Sequence, residues 1–122
     1  MNGQLAVHRH IEITETLVRL YVFLAQELDR CLNEAARRNY PEQELQSHLA
    51  STRAEMMEIL SVNRVVKDKI EQECQRVLTL SAACLTDGAA KTAAMDELSA
   101  ERAVLKNKTM ALSDLLAVFR AT

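Results

Sequence analysis

The 122-residue chain contains few of the residues that interrupt helices, because glycine occurs only at Gly3 and Gly88 and proline only at Pro41. Glycine weakens a helix through its conformational entropy, and proline does so because it lacks an N–H donor. With so little glycine, loops that hold phosphate through backbone N–H groups are not expected, and none of the GxGxxG, GxxxxGK[ST] or GxSxG motifs occurs. We therefore expect long helices and no nucleotide-binding loop.

Aromatic residues and an excess of one charge are also lacking, since aromatics form 3% of the chain and 15 basic residues face 17 acidic ones. Nucleic-acid-binding proteins need a basic surface, and many also stack bases on aromatic side chains. The densest basic group is Arg64, Lys67, Lys69 and Arg76. Acidic residues lie between its members, and a helical wheel divides them between two sides. Nucleic-acid binding is therefore not expected, and a nucleic-acid-associated regulator is kept only as the alternative function.

No stretch approaches the roughly 18 uninterrupted apolar residues of a membrane-spanning helix, and the N-terminal residues do not resemble a secretory signal. The three cysteines, Cys31, Cys74 and Cys84, form no CxxC pair, so neither a disulfide framework nor a zinc site is indicated. We expect a cytoplasmic protein with reduced cysteines and no membrane association.

The residue types that carry chemistry do not form a recognisable site in the sequence. His8 and His10 are two apart, so on a helix they point to different sides. Glu44 and His48 are four apart and can face one ion, but the paired Glu-x-x-His pattern of bundle metal sites is missing. Cys31 has no neighbouring group in the sequence that would activate its thiol. We expect no catalytic, metal-binding or cofactor-binding residues, and a bundle-type metal or thiol enzyme is the weaker alternative.

The chain has a high aliphatic content, with 48% hydrophobic residues that are mostly leucine, alanine, valine, isoleucine and methionine. Such a composition is typical of helices. The helix breakers divide the chain into segments at about 4–39, 41–85 and 90–119. We therefore predict an all-α fold with one domain over 1–122, an elongated antiparallel bundle of three long helices.

The second segment has an apolar seam whose positions are spaced alternately by four and three residues, which predicts coiled-coil-like packing. The seam comprises Leu45, Leu49, Thr52, Met56, Ile59, Asn63, Val66, Ile70, Glu73, Val77, Leu80 and Cys84. A buried Asn63 in that seam would fix the register and the oligomeric state. Alternatively, the segment breaks near Ser61 to Asn63 and the chain forms a compact four-helix bundle.

The first segment is apolar on several sides, whereas the third has an ordinary stripe that contains Leu98, Leu105 and Leu112. A helix that is apolar on several sides must be buried on several sides. We therefore expect part of the first helix to contact a second copy, giving a dimer, or another protein. The expected contact residues are Leu17, Leu20, Tyr21, Phe23, Leu24 and Leu28. The predicted function is a non-enzymatic, self-associating adaptor, chaperone or regulatory subunit that holds a partner protein.

Overall fold

The structure is a computed structural model that describes residues 2–37, 41–86 and 88–121. Within these ranges the chain forms helices and no strands, which confirms the all-α prediction. The helices are α1 (Asn2–Arg37), α2 (Glu42–Leu60), α3 (Arg64–Leu85) and α4 (Lys91–Ala121).

The second predicted segment is two helices rather than one, so the expectation of three long helices is wrong and the alternative break near Asn63 is present. Helix α2 ends at Leu60. The next residue, Ser61, donates a hydrogen bond from its hydroxyl to the Glu58 carbonyl, with 2.7 Å between the oxygens. Asn63 has an extended backbone and its side chain accepts hydrogen bonds from the N–H groups of Val65 and Val66. Asn63 is thus the N-cap of α3 and not a buried seam residue within a continuous helix.

Helices α1 and α3 lie at the centre of the arrangement, because each of them contacts the other three helices. Ion pairs join Arg120 to Glu15 at 3.0 Å and Arg102 to Asp29 at 2.9 Å. Since the residue later in α4 pairs with the one earlier in α1, these two helices run in opposite directions. Helices α2 and α4 make no contact in the described part of the chain, so they lie on different sides of the α1 and α3 pair.

The core forms along the predicted apolar positions of all four helices. Leu24 of α1, Met56 of α2, Cys84 of α3 and Leu98 of α4 are each 0–1% exposed. Burial of side chains of this size is the main source of stability in a small domain. Among the described residues, no helix combines the length and the hydropathy that crossing a membrane requires.

Candidate functional site

The α1 residues predicted to bind a partner divide into a buried group and a half-buried group. Leu20, Leu24 and Leu28 are 0% exposed, and Tyr21 is 8% exposed. The other two, Leu17 and Phe23, are partly buried and pack against the same core. Most of the predicted contact residues therefore belong to the core of their own chain in this structure.

Phe23 is the predicted contact residue that borders an open cleft. It lines a cavity of about 310 Å³ between α1 and α2, together with Val22 and Ile59. Polar groups that include Arg19 and Glu58 form the rest of the wall. The cleft is thus lined by three apolar and four polar or charged side chains, a mixture that protein-binding surfaces also have.

Helix α4 has an exposed apolar face in addition to its core face. Its buried residues are Ala94, Leu98, Leu105 and Leu116. Six of its exposed apolar residues are Ala93, Ala100, Val104, Ala111, Leu115 and Val118, whereas the exposed Met110 lies on another side. The spacings of three, four and seven residues place this set along one side of the helix. We call these six residues the α4 outer stripe.

The large members of the α4 outer stripe are well exposed, with 44% for Val104, 43% for Leu115 and 62% for Val118. Ion pairs hold α4 on both flanks of its core face: Lys108 binds Glu73 of α3 at 3.3 Å, and Arg102 binds Asp29 of α1. By helical spacing, the α4 outer stripe lies about 120° around the helix from the buried residues, outside the core face.

A buried polar cluster lies where α1 meets the first turns of α2. The Nε2 atom of His48 is 2.5 Å from Oε1 of Glu27, and the two side chains are 3% and 4% exposed. The sulfur of Cys31 is 3.2 Å from the same carboxylate oxygen and 3.9 Å from Nε2. Glu27 and Cys31 lie four residues apart on one face of α1, so α1 supplies two of the three groups.

The Cys31 thiol is not activated by its surroundings, although an imidazole and a carboxylate lie close to it. Burial raises the pKa of Cys31 well above its ordinary value, and the negative charge of Glu27 raises it further. The hydroxyl of Ser81 acts in the opposite direction, but this effect is smaller. A protonated thiol is a poor nucleophile, so these surroundings do not favour the thiolate that nucleophilic catalysis by cysteine requires.

The cluster does bring three different metal-binding atoms together: the sulfur of Cys31, Nε2 of His48 and a carboxylate oxygen of Glu27 lie within 4.8 Å of one another. His48 also borders a cleft of about 670 Å³ that Arg30 and Ser47 help to line. Glu44, which the sequence suggested as a partner of His48, lines this cleft as well. The cluster therefore adjoins this cleft through His48.

The sequence contained two signals for this cluster that the analysis of motifs missed. Glu27 and Cys31 have helical i, i+4 spacing, and His48 lies three residues after Leu45 and four before Thr52. That spacing places His48 on the core face of α2, where it is 6% exposed. What the sequence did not show is that α1 and α2 meet at these positions.

The remaining candidate groups are separate from the cluster. His8 lies 3.2 Å from Glu12 in an exposed pair. The ring of His10 stacks on that of Phe119, with 5.7 Å between centroids. Arg76 of the basic group binds Glu101 at 2.8 Å, so part of the positive charge on α3 is neutralised.

No protein-family model matches the chain, and no curated protein or solved structure gives a significant match. The function is therefore inferred from the residues of this chain alone.

Proposed function

We propose that the protein is a non-enzymatic helical-bundle protein that forms a dimer through the α4 outer stripe and holds a partner protein as an adaptor, chaperone or regulatory subunit. The observation that supports the proposal is the exposed apolar side of α4, which carries Val104, Leu115 and Val118 at 43–62% exposure. Exposed apolar residues that recur along one side of a helix are a common mark of a protein interaction site.

A second copy of the chain is the occupant that suits the stripe. Spacings of three, four and seven residues allow two helices to pack along each other, and the alanines Ala93, Ala100 and Ala111 permit close approach. From Ala93 to Val118 the stripe is about 38 Å long at 1.5 Å per residue. Because a two-fold dimer uses the same patch on both copies, one apolar stripe is enough to form the interface.

In such a dimer the cleft between α1 and α2 stays open for another protein. Helices α2 and α4 make no contact in the described part of the chain, so the cleft that holds Val22 and Phe23 lies away from the stripe. We assign the partner to this cleft because apolar side chains beside charged groups can bind an amphipathic segment.

The proposal includes the finer features of the fold and the location. The helices pack as an antiparallel bundle with coiled-coil-like seams, which the alternating burial along α2 and α3 supports. The protein is cytoplasmic, which fits its three buried cysteines, each of them a free thiol.

Sedimentation equilibrium of two matched variants tests the dimer. Leu115→Glu places a charge in the stripe, and Met57→Glu places the same charge on α2 at nearly the same exposure, 43% against 42%. We expect the wild type and Met57→Glu to sediment as dimers with the same dissociation constant. For Leu115→Glu we expect a dimer dissociation constant at least tenfold higher. Circular dichroism should show equal helix content in all three proteins.

Two results would contradict the proposal. A wild-type protein that remains a monomer up to millimolar concentration would show that the stripe does not self-associate. Dissociation by Phe23→Asp but not by Leu115→Glu would place the dimer interface on α1, at the contact residues predicted from the sequence.

A further inference from the structure

We propose that Glu27, Cys31 and His48 form a binding site for a zinc ion, with a water molecule as the fourth ligand. The site is independent of the α4 outer stripe, because its residues belong to α1 and α2. The dimer and the zinc site can therefore be tested separately.

The spacing of the three groups suits a tetrahedral ion. Zinc bonds to nitrogen, oxygen and sulfur are about 2.0–2.3 Å long, so neighbouring ligand atoms lie about 3.3–3.7 Å apart. The sulfur of Cys31 is 3.2 Å from the Glu27 oxygen and 3.9 Å from Nε2 of His48. The third separation, between Glu27 and His48, is 2.5 Å. It would widen by about 1 Å when the ion replaces the hydrogen bond between these two side chains.

The charges of the three groups also suit a divalent cation. Binding of Zn²⁺ would displace the proton of the Cys31 thiol into solvent. The resulting thiolate, the carboxylate and a neutral imidazole together carry two negative charges, which balance the two positive charges of Zn²⁺. Buried charge is costly unless it is compensated, and the side chains of Glu27 and His48 are only 3–4% exposed. A zinc complex of these ligands is therefore neutral as a whole and suited to a dry site.

The donor set selects the kind of ion. Calcium and magnesium prefer oxygen ligands, and only Glu27 supplies one among these three side chains. Zinc accepts the combination of thiolate, imidazole and carboxylate in tetrahedral sites. Zinc is thus the divalent ion that this cluster fits best.

Ser81 gives a second indication that the space beside Cys31 holds a further polar group. Its hydroxyl is fully buried and makes no standard hydrogen bond with any described residue. It nevertheless lies near enough to the Cys31 thiol to affect it. Because a thiol sulfur is a weak hydrogen-bond acceptor, the proposed zinc-bound water would give this hydroxyl a stronger partner. The cleft beside His48 supplies the entry route.

Metal titration of the chelator-treated full chain tests the site. We expect one equivalent of Zn²⁺ to bind and to raise the melting temperature, because an ion that binds only the folded chain stabilises it. Co²⁺ should bind at the same place and produce a thiolate-to-cobalt charge-transfer band in the near ultraviolet. Cobalt held only by exposed His8 and Glu12 would lack that band.

Two cysteine variants provide the matched comparison. Cys31→Ser removes the proposed sulfur ligand, whereas Cys74→Ser makes the same change at a buried cysteine of α3 outside the cluster. Loss of a group that only supports a ligand weakens metal binding by about 10–100-fold. We therefore expect Cys31→Ser to weaken zinc binding at least about a hundredfold. Cys74→Ser should keep the affinity and the cobalt band of the wild type.

X-ray absorption at the zinc edge keeps the test decisive if Cys31→Ser fails to fold. Zinc bound to the wild-type protein should show one sulfur ligand and a remainder of nitrogen and oxygen ligands. The proposal is overturned if the wild type binds no zinc at one equivalent, if the bound zinc has no sulfur ligand, or if a folded Cys31→Ser retains the wild-type affinity.

Discussion

The junction of α1 and α2 buries a carboxylate, a thiol and an imidazole, whereas α4 leaves valine and leucine side chains in water. Glu27 and His48 have side chains that are 3–4% exposed, but Val118 is 62% exposed. A carboxylate is almost never fully buried unless it is paired, and several exposed aliphatic side chains along one side of a helix are more than an isolated surface residue. Both regions lie in the same small helical bundle, so a general looseness of its packing does not explain them.

Each region is unfavourable for the isolated chain, and for a different reason. A buried polar group is costly unless its hydrogen bonds are complete, and an exposed apolar stripe forgoes the gain that burial would give. The buried polar cluster of Glu27, Cys31 and His48 suits a small ion, because its donor atoms lie close to one point. The outer stripe fits a helix, because its side chains follow one line. The shape of each region therefore indicates the size of what it binds.

The largest expected effect concerns two His–Glu pairs that differ mainly in burial. His48 pairs with Glu27 in the core, and His8 pairs with Glu12 at 59–70% exposure. Removing one partner of a buried pair costs about 3–5 kcal/mol, whereas an exposed pair contributes about 0–1 kcal/mol. In urea denaturation of the chelator-treated protein, His48→Ala should lower the free energy of unfolding by about 3–5 kcal/mol. His8→Ala should lower it by about 0–1 kcal/mol. Equal losses would mean that the inner cluster contributes no more than a surface pair.

Two neighbouring leucines of α4 test the boundary between its core face and its outer stripe. Leu116 is 8% exposed and Leu115 is 43% exposed. Leu116→Ala should reduce the free energy of unfolding by about 2–4 kcal/mol, as buried leucines do. Leu115→Ala should change it by no more than about 0.5 kcal/mol at a concentration where the protein is monomeric. The reverse order would place the exposed face of α4 on its other side.

The smallest expected effect concerns Tyr21, whose ring is buried while its hydroxyl faces polar groups between α3 and α4. Burial, followed by the charge of Glu73, raises the pKa of Tyr21 from 10.0 to about 12. Tyr21 therefore ionises at a lower pH in the unfolded chain than in the folded one. The contribution of its protonated hydroxyl to the free energy of unfolding is present below pH 10 and is lost as the pH rises through about 12. Between these values, Tyr21→Phe should lose less stability than the wild type in urea denaturation. Parallel pH curves would show that the hydroxyl is not shielded.

The helical elements could be predicted because the signals for them are local. The scarcity of glycine and proline indicated long helices, and the four-and-three spacing identified core positions such as Met56 and Ile70. The break after Leu60 was less certain from sequence. Ser61 and Asn63 are compatible with either a helix or a cap, and only the hydrogen bonds that they make decide between the two.

The candidate sites were harder to predict because they depend on which helices meet. His48 lies 17 residues from Cys31 in the chain, in another helix, and no spacing rule connects them. The sequence shows that α1 is apolar on several sides. Leu20 and Leu24 nevertheless lie in the core of their own chain, because α1 contacts every other helix. Half of the residues in the α4 outer stripe are alanines. A search for large apolar residues does not detect them, so the stripe was not predicted.

Cross-linking at Ala111 is the most direct test of the central claim, that the α4 outer stripe is the interface between two copies. Ala111 lies midway between Val104 and Val118 in the stripe, and the equally exposed Ala117 lies about 120° around the helix from it. The native cysteines are buried, so an introduced thiol is the accessible one. Under mild oxidation, Ala111→Cys should form a disulfide-linked dimer much faster than Ala117→Cys. Equal rates, or faster cross-linking of Ala117→Cys, would contradict the claim.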